Sequence, residues 1–435
     1  MAATARRWPG ILAGLFGLAL AITLTKFGNP IIFKSLESPP TNIWEFIFAV
    51  WPATWSFTLV VVLAVLSIAT GWRQIALIPK PLLFLIAGWG FWVALSMSHS
   101  VDPTLSDLAV KHFAATIITT FLAAAFLPTL AEAKILFRIL IFALAFTLWS
   151  GLDQHYGGLE ATRKAFYELP NWESFPPEYK LKIASNRIFG PFIYPNTFAG
   201  ALLIWAPILT LTLWDWTSRL PSIIQKVLIG LFVYMTAACF FWTGSKAGWL
   251  IAIAVFVVAF LHQNLERATK IAVISAVLII GLTGFALKFR NYFARGATSA
   301  SARVIYWKAA VHVANEHPIL GAGPGTFAKT FAPIKPPEAE MARLVHNDYL
   351  EQASDSGWPA FLLFTGFVAS AMFISHRSVR NSPYHLAAWL GLLGWSLQSF
   401  VEFGLYIPAI SWSAFTLLGW LLSQRIAVDT AKPAK

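Results

Sequence analysis

Long apolar runs, separated by short polar breaks, dominate the sequence. Runs of about 20 residues are long enough to cross a bilayer as α-helices, and because they are continuous rather than alternating they exclude a membrane β-barrel. The pattern predicts an all-α fold, a polytopic membrane bundle of about twelve transmembrane helices. The predicted spans are 9–25, 48–70, 79–97, 110–129, 134–151, 190–213, 224–242, 247–262, 269–287, 357–375, 384–402 and 406–424.

The charges that flank these runs predict an orientation. Arg6 and Arg7 precede the first run as in a signal peptide, but no clear small-residue cleavage site follows, so we interpret that run as a membrane helix. The short connections 98–109 and 403–405 contain no Lys or Arg, whereas the alternate connections are basic, which predicts two cytoplasmic termini. The basic residues of the inner connections are Arg73, Lys80, Lys134, Arg219, Lys226, Arg267, Lys270, Arg377, Arg380 and Arg425.

Composition agrees with a membrane protein and narrows its partners. Hydrophobic residues make up 57% of the chain and charged residues 12%, about half of what a soluble protein carries. The net charge of +12 is not gathered in one helix or stripe, so we expect no nucleic acid partner. The one cysteine, Cys239, lies in an apolar run, which excludes a disulfide or cysteine-based metal site within one chain. Without a repeat of fixed period, residues 1–435 are described most simply as a single membrane domain.

Two long outer loops, 152–189 and 288–356, are basic although topology does not require it. Long loops cross a membrane largely regardless of charge, so these cations point either to an anionic ligand or to lipid headgroups. In the second loop, Ser299 or Ser301 is a candidate cap for a short helix that ends before Pro318. The basic residues of the two loops are Arg163, Lys164, Lys180, Lys182, Arg187, Lys288, Arg290, Arg295, Arg303, Lys308, Lys329, Lys335 and Arg343.

A first candidate site lies where the first loop enters the sixth span. The segment 186–196 reads Asn-Arg-Ile-Phe-Gly-Pro-Phe-Ile-Tyr-Pro-Asn and contains Arg187 and Asn196. A guanidinium at the membrane edge can hold a phosphate bidentately, and the glycine and prolines can turn backbone amides toward the same anion. The alternative is an interfacial arginine beside a kinked helix.

Lys246 lies in a very short outer turn, Thr-Gly-Ser-Lys-Ala-Gly-Trp at 243–249. Such a cation is either drawn to lipid headgroups or held toward an anion in a central cavity.

A glycine-rich segment, 318–327, follows the predicted loop helix and includes Gly321, Gly323 and Gly325. Glycines let backbone amides approach a ligand closely. The segment lacks the Lys-Ser or Lys-Thr of a P-loop, so a plain turn is the main alternative.

His346 is the best candidate for a general base because imidazole takes up a proton near neutral pH. It precedes Asn347 and lies on the outer side, near the expected level of Arg187. Glu351 points away from His346 on a helix and is therefore a weaker partner by geometry.

Several motifs are missing from the sequence. It contains no paired-histidine zinc motif, no Asp-x-Asp pair and no Walker motif. We therefore expect neither a metal ion nor a cofactor, and nucleotide chemistry is disfavoured.

Taken together, these motifs resemble the O-antigen ligase and O-antigen polymerase superfamily of bacterial envelope enzymes. The resemblance covers 190–357 closely, and the ordered set is more specific than any one motif. Its elements are Arg187, Gly190, Phe192, Pro195 and Asn196; Ser245 and Lys246; Arg303, Trp307 and 321–327; and 346–350 with Gly357.

The resemblance implies a metal-independent glycosyltransferase whose donor is a glycan on undecaprenyl diphosphate and whose acceptor is lipid A core or a related glycan. It implies an inner-membrane protein with a periplasmic active site, in which Arg187 and Arg303 bind the donor diphosphate and His346 activates the acceptor hydroxyl. It also implies a substrate-binding role for Lys246, Asn196, Trp307, Asn347, Gly323 and Gly325. Lys246 departs from the family, which commonly has arginine there, so charge is kept while bidentate recognition is lost.

Other functions remain open. A polymerase would pass the glycan to another lipid-linked repeat, and a protein O-oligosaccharyltransferase would pass it to Ser or Thr. A secondary transporter also has twelve spans, but it would need ionisable residues in the middle of several of them. Glu402, near the end of the eleventh predicted span, is a possible example, although we expect it to be interfacial.

Overall fold

The protein is all-helical in a computed structural model, which describes residues 8–33, 38–70, 78–168, 170, 172–174, 180, 183–294 and 296–430. Arg6, Arg7, Arg73, Lys182 and Arg295 therefore lie outside the described residues. Within these ranges the α-helices are α1 (Trp8–Lys26), α2 (Ile43–Phe48), α3 (Ser56–Thr70), α4 (Lys80–Ser96), α5 (Pro103–Phe126), α6 (Leu130–Asp153), α7 (Leu159–Tyr167), α8 (Pro195–Trp216), α9 (Ser222–Thr243), α10 (Lys246–Leu261), α11 (Arg267–Ala294), α12 (Thr298–Glu316), α13 (Phe327–Ile334), α14 (Asp348–His376), α15 (Pro383–Gln398) and α16 (Pro408–Thr430).

Eight of the described helices are long and apolar enough to cross a membrane: α1, α4, α5, α6, α8, α9, α11 and α14. The protein is therefore a multi-pass membrane protein. The other predicted spans coincide with α3, α10, α15 and α16, of which α3 and α10 are shorter apolar helices. The total of about twelve spans stays a prediction.

Helix α5 begins earlier than its predicted span because Asp102 caps it. The Asp102 carboxylate accepts a hydrogen bond from the Leu105 amide at 3.2 Å, and Pro103 occupies the first helical position. Helix α11 extends beyond its predicted span, to Ala294. Lys288 and Arg290, which we expected in a loop, therefore belong to a helix.

Helix α12 confirms the short helix predicted around Arg303, but the predicted cap is wrong. Ser299 and Ser301 lie inside the helix, and its N-cap residue is Ala297. The hydroxyl of Tyr292 takes the place of a cap, because it accepts a hydrogen bond from the Ala300 amide at 3.0 Å. An aromatic side chain from the preceding helix thus satisfies a donor that usually bonds to a serine or an aspartate.

Close helix contacts through glycine hold the bundle beneath the site. A Cβ atom on Gly391 of α15 would lie 2.2 Å from the carbonyl oxygen of Ile204 in α8. Small residues let membrane helices approach this closely. Helix α15 therefore packs tightly along α8, which fixes the connection between α15 and α16 against the start of α8.

Helix α14 is kinked near its N-terminal end. Ser356 and Gly357 depart from helical geometry, with φ of −136° and +78°, and Pro359 follows. The Trp358 amide donates to the Pro318 carbonyl at 3.0 Å, so the glycine-rich segment is joined to α14 at this kink. The kink gives α14 a short N-terminal part, capped by Asn347, and a longer part that follows Gly357.

Candidate active site

Arg187 is held by the turn before α8 and the end of α9. Its Nε donates to the Thr243 carbonyl at 2.6 Å, and its Nη2 donates to Oδ1 of Asn196 at 2.6 Å. The backbone amides of Phe189 and Gly190 donate to the Gln154 side chain at 2.8 and 2.9 Å. These two amides are thus used inside the protein, and the segment contributes side chains, those of Arg187 and Asn196, to the site.

Glu402 joins the predicted residues to one another. It lies in the connection between α15 and α16, and its Oε1 accepts a hydrogen bond from Nδ2 of Asn196 at 2.6 Å. Arg303 on α12 forms an ion pair with the same oxygen through Nη2 and donates from Nε to the Val401 carbonyl at 2.8 Å. One carboxylate therefore links Arg303 directly, and Arg187 through Asn196.

His346 contacts the other oxygen of the same carboxylate. Its Nδ1 lies 3.4 Å from Oε2 of Glu402, without the alignment of a hydrogen bond. The ring packs edge-on against Phe403, at a centroid distance of 4.6 Å, and stacks on Tyr306. Since Nδ1 is buried and the side chain is 26% exposed, the accessible part of the imidazole is the side that carries Nε2.

The backbone of His346 has a φ of +56°, in the left-handed region that few non-glycine residues adopt. The next residue, Asn347, caps α14 by accepting hydrogen bonds from the amides of Tyr349 and Leu350, at 3.1 and 3.0 Å. The Trp307 indole donates to the His346 carbonyl at 3.3 Å. These contacts fix the backbone from which the imidazole reaches Glu402.

Positive charge exceeds negative charge in this cluster of Arg187, Arg303 and Glu402. Burial raises the pKa of Glu402, but the charge of Arg303 and the contact with His346 lower it more, to about 2 from an ordinary value of 4.5. Burial lowers the pKa of Arg187; the charge of Glu402 opposes this change, and the charge of Arg303 adds to it. The single negative charge of Glu402 is shared by two guanidinium groups, so Arg187 lacks a full counter-charge. This favours the binding of an anion beside Arg187.

Lys246 lies close enough to feel the charges of Arg187 and Arg303. Its Nζ lies 4.1 Å from the centroid of the Tyr292 ring and 5.3 Å from that of Phe289. Among the described residues no carboxylate lies within ion-pair distance of it. Aromatic faces attract a cation without neutralising it, so Lys246 adds positive charge to this side of the site.

The glycine-rich segment uses amides of its glycines for packing against α14. The Gly323 amide donates to the Asp355 carbonyl at 2.8 Å, and the Gly325 amide donates to the Asp355 carboxylate at 2.8 Å. A Cβ on Gly323 would lie 2.3 Å from Oγ of Ser100. The roles of Gly323 and Gly325 in substrate binding stay predictions, as do those of Asn196, Trp307 and Asn347.

Sequence reasoning missed the central position of Glu402. The available signal was an ionisable residue at the outer end of an apolar run, a place where charge is costly and usually paired. Among the described residues no group of three or more His, Cys, Asp or Glu side chains is placed to hold a metal ion.

The fold and this cluster define a multi-pass membrane protein with a charged site at one end of its helices. Residues 230–365, about a third of the chain, match a protein-family model described as O-antigen ligase, and this match supports a likeness to the O-antigen ligase superfamily. The family suggests a glycosyltransferase-like enzyme, a ligase or a polymerase. A comparison with curated proteins gave no match.

The matched segment contains Arg303 and His346 but neither Arg187 nor Glu402. The two parts of the site therefore rest on different observations. The family match covers the residues of α12 and of the start of α14, whereas the residues before α8 and after α15 are added by geometry alone.

Proposed function

We propose that the protein transfers a glycan from undecaprenyl diphosphate to a hydroxyl of lipid A core or a related acceptor, as an O-antigen ligase does. The observation that carries the proposal is the linkage of Arg187, Arg303 and His346 through the single carboxylate of Glu402. The two guanidinium groups and the imidazole thus meet at one carboxylate, which supports a common site for a diphosphate and a base. The site faces the periplasm in this proposal, with the protein in the inner membrane and both termini in the cytoplasm.

The transfer reaction uses an imidazole as the base and two guanidinium groups to stabilise the leaving group. Nε2 of His346 accepts the proton of the acceptor hydroxyl while the oxygen attacks the anomeric carbon of the donor. The bond between that carbon and the diphosphate oxygen breaks, and the electron pair stays with the leaving lipid diphosphate. Arg187 and Arg303 stabilise the charge that develops there, and Glu402 stabilises the imidazolium that His346 becomes.

The arrangement of Arg187 suits an anionic leaving group. Its Nε and Nη2 are bonded within the protein, while the surrounding charge is not balanced. An incoming diphosphate would add the missing negative charge at this position. Arginine is the side chain best matched to phosphate geometry.

Reconstitution with purified lipid-linked oligosaccharide tests the proposal. The wild-type protein should transfer the glycan to lipid A core, as seen by a mass increase of the acceptor, and Arg187→Ala should abolish transfer. Exposed Arg290→Ala, on α11, is the matched control and should remain active. Full transfer by Arg187→Ala would refute the assignment of the diphosphate site.

The product of the same reaction distinguishes ligase from its relatives. Glycan on lipid A core indicates a ligase, a longer lipid-linked glycan indicates a polymerase, and glycan on a Ser or Thr peptide indicates protein glycosylation. The ligase assignment fails if only one of the latter two products appears.

A further inference from the structure

The part of α14 before its kink carries three buried carboxyl groups, those of Asp348, Glu351 and Asp355. Their spacing of i, i+3 and i+7 puts them along one face of the helix. At most 1% of each residue is exposed. Among the described residues, no basic side chain lies within ion-pair distance of any of them. A buried carboxyl group without a counter-charge is costly unless it is hydrogen-bonded, so the bonds of each group indicate its role.

Two of these groups hold loops on either side of the helix. Both oxygens of Asp348 lie 3.1 Å from the Leu405 amide, which donates to them from the connection between α15 and α16. Asp355 accepts from the Gly325 amide at 2.8 Å, in the glycine-rich segment. These two carboxyl groups therefore act on loops that lie far from His346 in the sequence.

The third group, that of Glu351, holds the backbone just before His346. Its Oε2 accepts a hydrogen bond at 3.2 Å from the amide of Val345, a fully buried residue. The Trp307 indole donates to the carbonyl of His346 itself at 3.3 Å. The chain is thus held on both sides of the imidazole, by one side chain from α14 and by one from α12.

The backbone at His346 needs such contacts because its φ is +56°. Few non-glycine residues adopt this left-handed region, and they keep it only where the surrounding structure fixes it. Without the bond to Glu351, the Val345 amide would be a buried donor without a partner, which is costly. The segment would turn to satisfy this amide, and the imidazole would then leave the backbone in another direction.

We propose that Glu351 is a positioning residue for the general base and acts on His346 through the Val345 amide. This inference rests on the proposed function, because it takes His346 as the base. The held backbone places Nδ1 of the imidazole 3.4 Å from Oε2 of Glu402, while Nε2 lies on the accessible side. Glu351 acts from behind the base: among the described residues, Glu402 supplies the carboxylate within ion-pair distance of the ring.

Loss of the bond to Val345 should slow the chemical step and leave donor binding unchanged. Misplacement of a reacting group by about 1 Å can cost about a hundredfold in rate. Arg187 and Arg303 keep their own backbone partners, the carbonyls of Thr243 and Val401, so the proposed diphosphate site should stay intact. A general loss of structure would instead raise KM for the donor as well as lower kcat.

Two substitutions of similar shape separate the hydrogen bond from the volume of the side chain. Glu351→Gln keeps an oxygen that can accept from the Val345 amide, whereas Glu351→Met fills similar space without a strong acceptor. We expect Glu351→Met to lower kcat for glycan transfer by about ten- to a hundredfold at an unchanged KM for the donor. Glu351→Gln should keep the kcat of wild type, and exposed Glu338→Met is the matched control, which should also remain fully active.

Activity is compared per folded molecule, with folding checked by thermal unfolding in detergent. Equal losses of kcat in Glu351→Gln and Glu351→Met would refute the proposal, because the bond to the amide would not be the cause. A rise in KM that matches the fall in kcat would also refute it. If Glu351→Met does not fold, Glu351→Gln decides alone, and a tenfold or larger fall in its kcat would overturn the positioning role.

The wild-type protein separates this proposal from the proposed function. If the wild type transfers no glycan to any acceptor, the proposed function fails. If the wild type transfers glycan and Glu351→Met is equally active, the role of Glu351 alone is refuted.

Discussion

Two segments, 186–196 and 318–327, both contain glycine and proline, but they make different contacts in the structure. Both were candidates for presenting backbone amides to an anion. In the first segment the amides bond to Gln154, and the side chain of Arg187 reaches the site. In the second the amides bond to Asp355 and to backbone carbonyls of α14.

The difference shows which sequence signal is informative. A glycine at positive φ permits close approach, but the approaching group can equally be a ligand or a neighbouring helix. A charged side chain at a membrane edge is costly unless something balances it. Charge therefore indicates function more reliably than backbone freedom does, and the following predictions test this contrast.

The largest effect is expected for His346→Asn. Asparagine tolerates a positive φ, so the backbone at this position should be kept while the base is lost. We expect transfer to fall by between about a hundredfold and ten-thousandfold, measured as glycan transfer to the acceptor under saturating donor. The exposed His312 on α12 gives the matched control, since His312→Asn should retain activity. Near-normal transfer by His346→Asn would show that another group is the base.

A smaller loss is expected for Glu402→Gln, which keeps the shape of the side chain but removes the charge that faces Arg303 and His346. Hydrogen bonds to charged groups contribute about 1.5–3 kcal/mol, so we expect transfer to fall by about ten- to a hundredfold. Exposed Glu316→Gln should leave transfer unchanged, and full transfer by Glu402→Gln would contradict the role of this carboxylate.

Glu402 also predicts how stability depends on pH. The pKa of its carboxyl group is about 2 in the folded protein, below the ordinary value of 4.5. A carboxyl group whose pKa is lower in the folded protein than in the unfolded chain stabilises the fold fully at pH values above its pKa in the unfolded chain. This stabilisation is lost as the pH falls through the pKa of the folded protein. The difference in Tm between wild type and Glu402→Gln should therefore shrink between pH 4.5 and about 2. A difference that stays constant over this range would show that the carboxylate is not charge-stabilised.

Much of the fold was predictable because the bilayer imposes simple requirements. A membrane helix needs about 20 apolar residues and internal hydrogen bonds throughout, and both leave a plain pattern in the sequence. His346 was a candidate because a histidine near a membrane surface stands out, whereas Arg303 became one through the resemblance to the O-antigen ligase superfamily. Glu402 was not, since its partner Arg303 lies 99 residues away in the sequence and the two meet only when α12 packs over the connection after α15.

Local capping was also hard to predict where it depends on a distant ring. Ser299 and Ser301 fit the pattern of a helix cap, but the Tyr292 hydroxyl from α11 reaches the amide first. The preference of serine for a helix cap describes an isolated segment. In the folded protein a neighbouring helix can supply the hydrogen bond instead.

For the glycine-rich segment we expect a loss of stability and not of chemistry. Gly323→Ala forces a side chain into a φ of +110° and against Ser100, which should destabilise the protein by about 1–3 kcal/mol. Thermal unfolding in detergent measures this effect, and activity per folded molecule should stay at the wild-type level. Gly230→Ala is the matched control, because a Cβ there meets nothing within 4 Å inside α9 and should stabilise slightly. A stable Gly323→Ala variant with a raised KM for donor would instead support a ligand-binding role.

The smallest effect is expected for Lys246, whose charge is held over aromatic rings without a bonded phosphate partner. Lys246→Gln removes one positive charge from the rim of the site, and we expect KM for the donor to rise by about three- to tenfold with little change in kcat, because the charge acts on ground state and transition state alike. Lys246→Arg restores the charge and adds a bidentate donor, so it should recover wild-type KM or improve on it. The comparison should be made at low and high salt, since the loss in Lys246→Gln should diminish when ions screen the site. A fall in kcat as large as that of His346→Asn would instead place Lys246 among the groups that act on the transition state, beside Arg187 and Arg303.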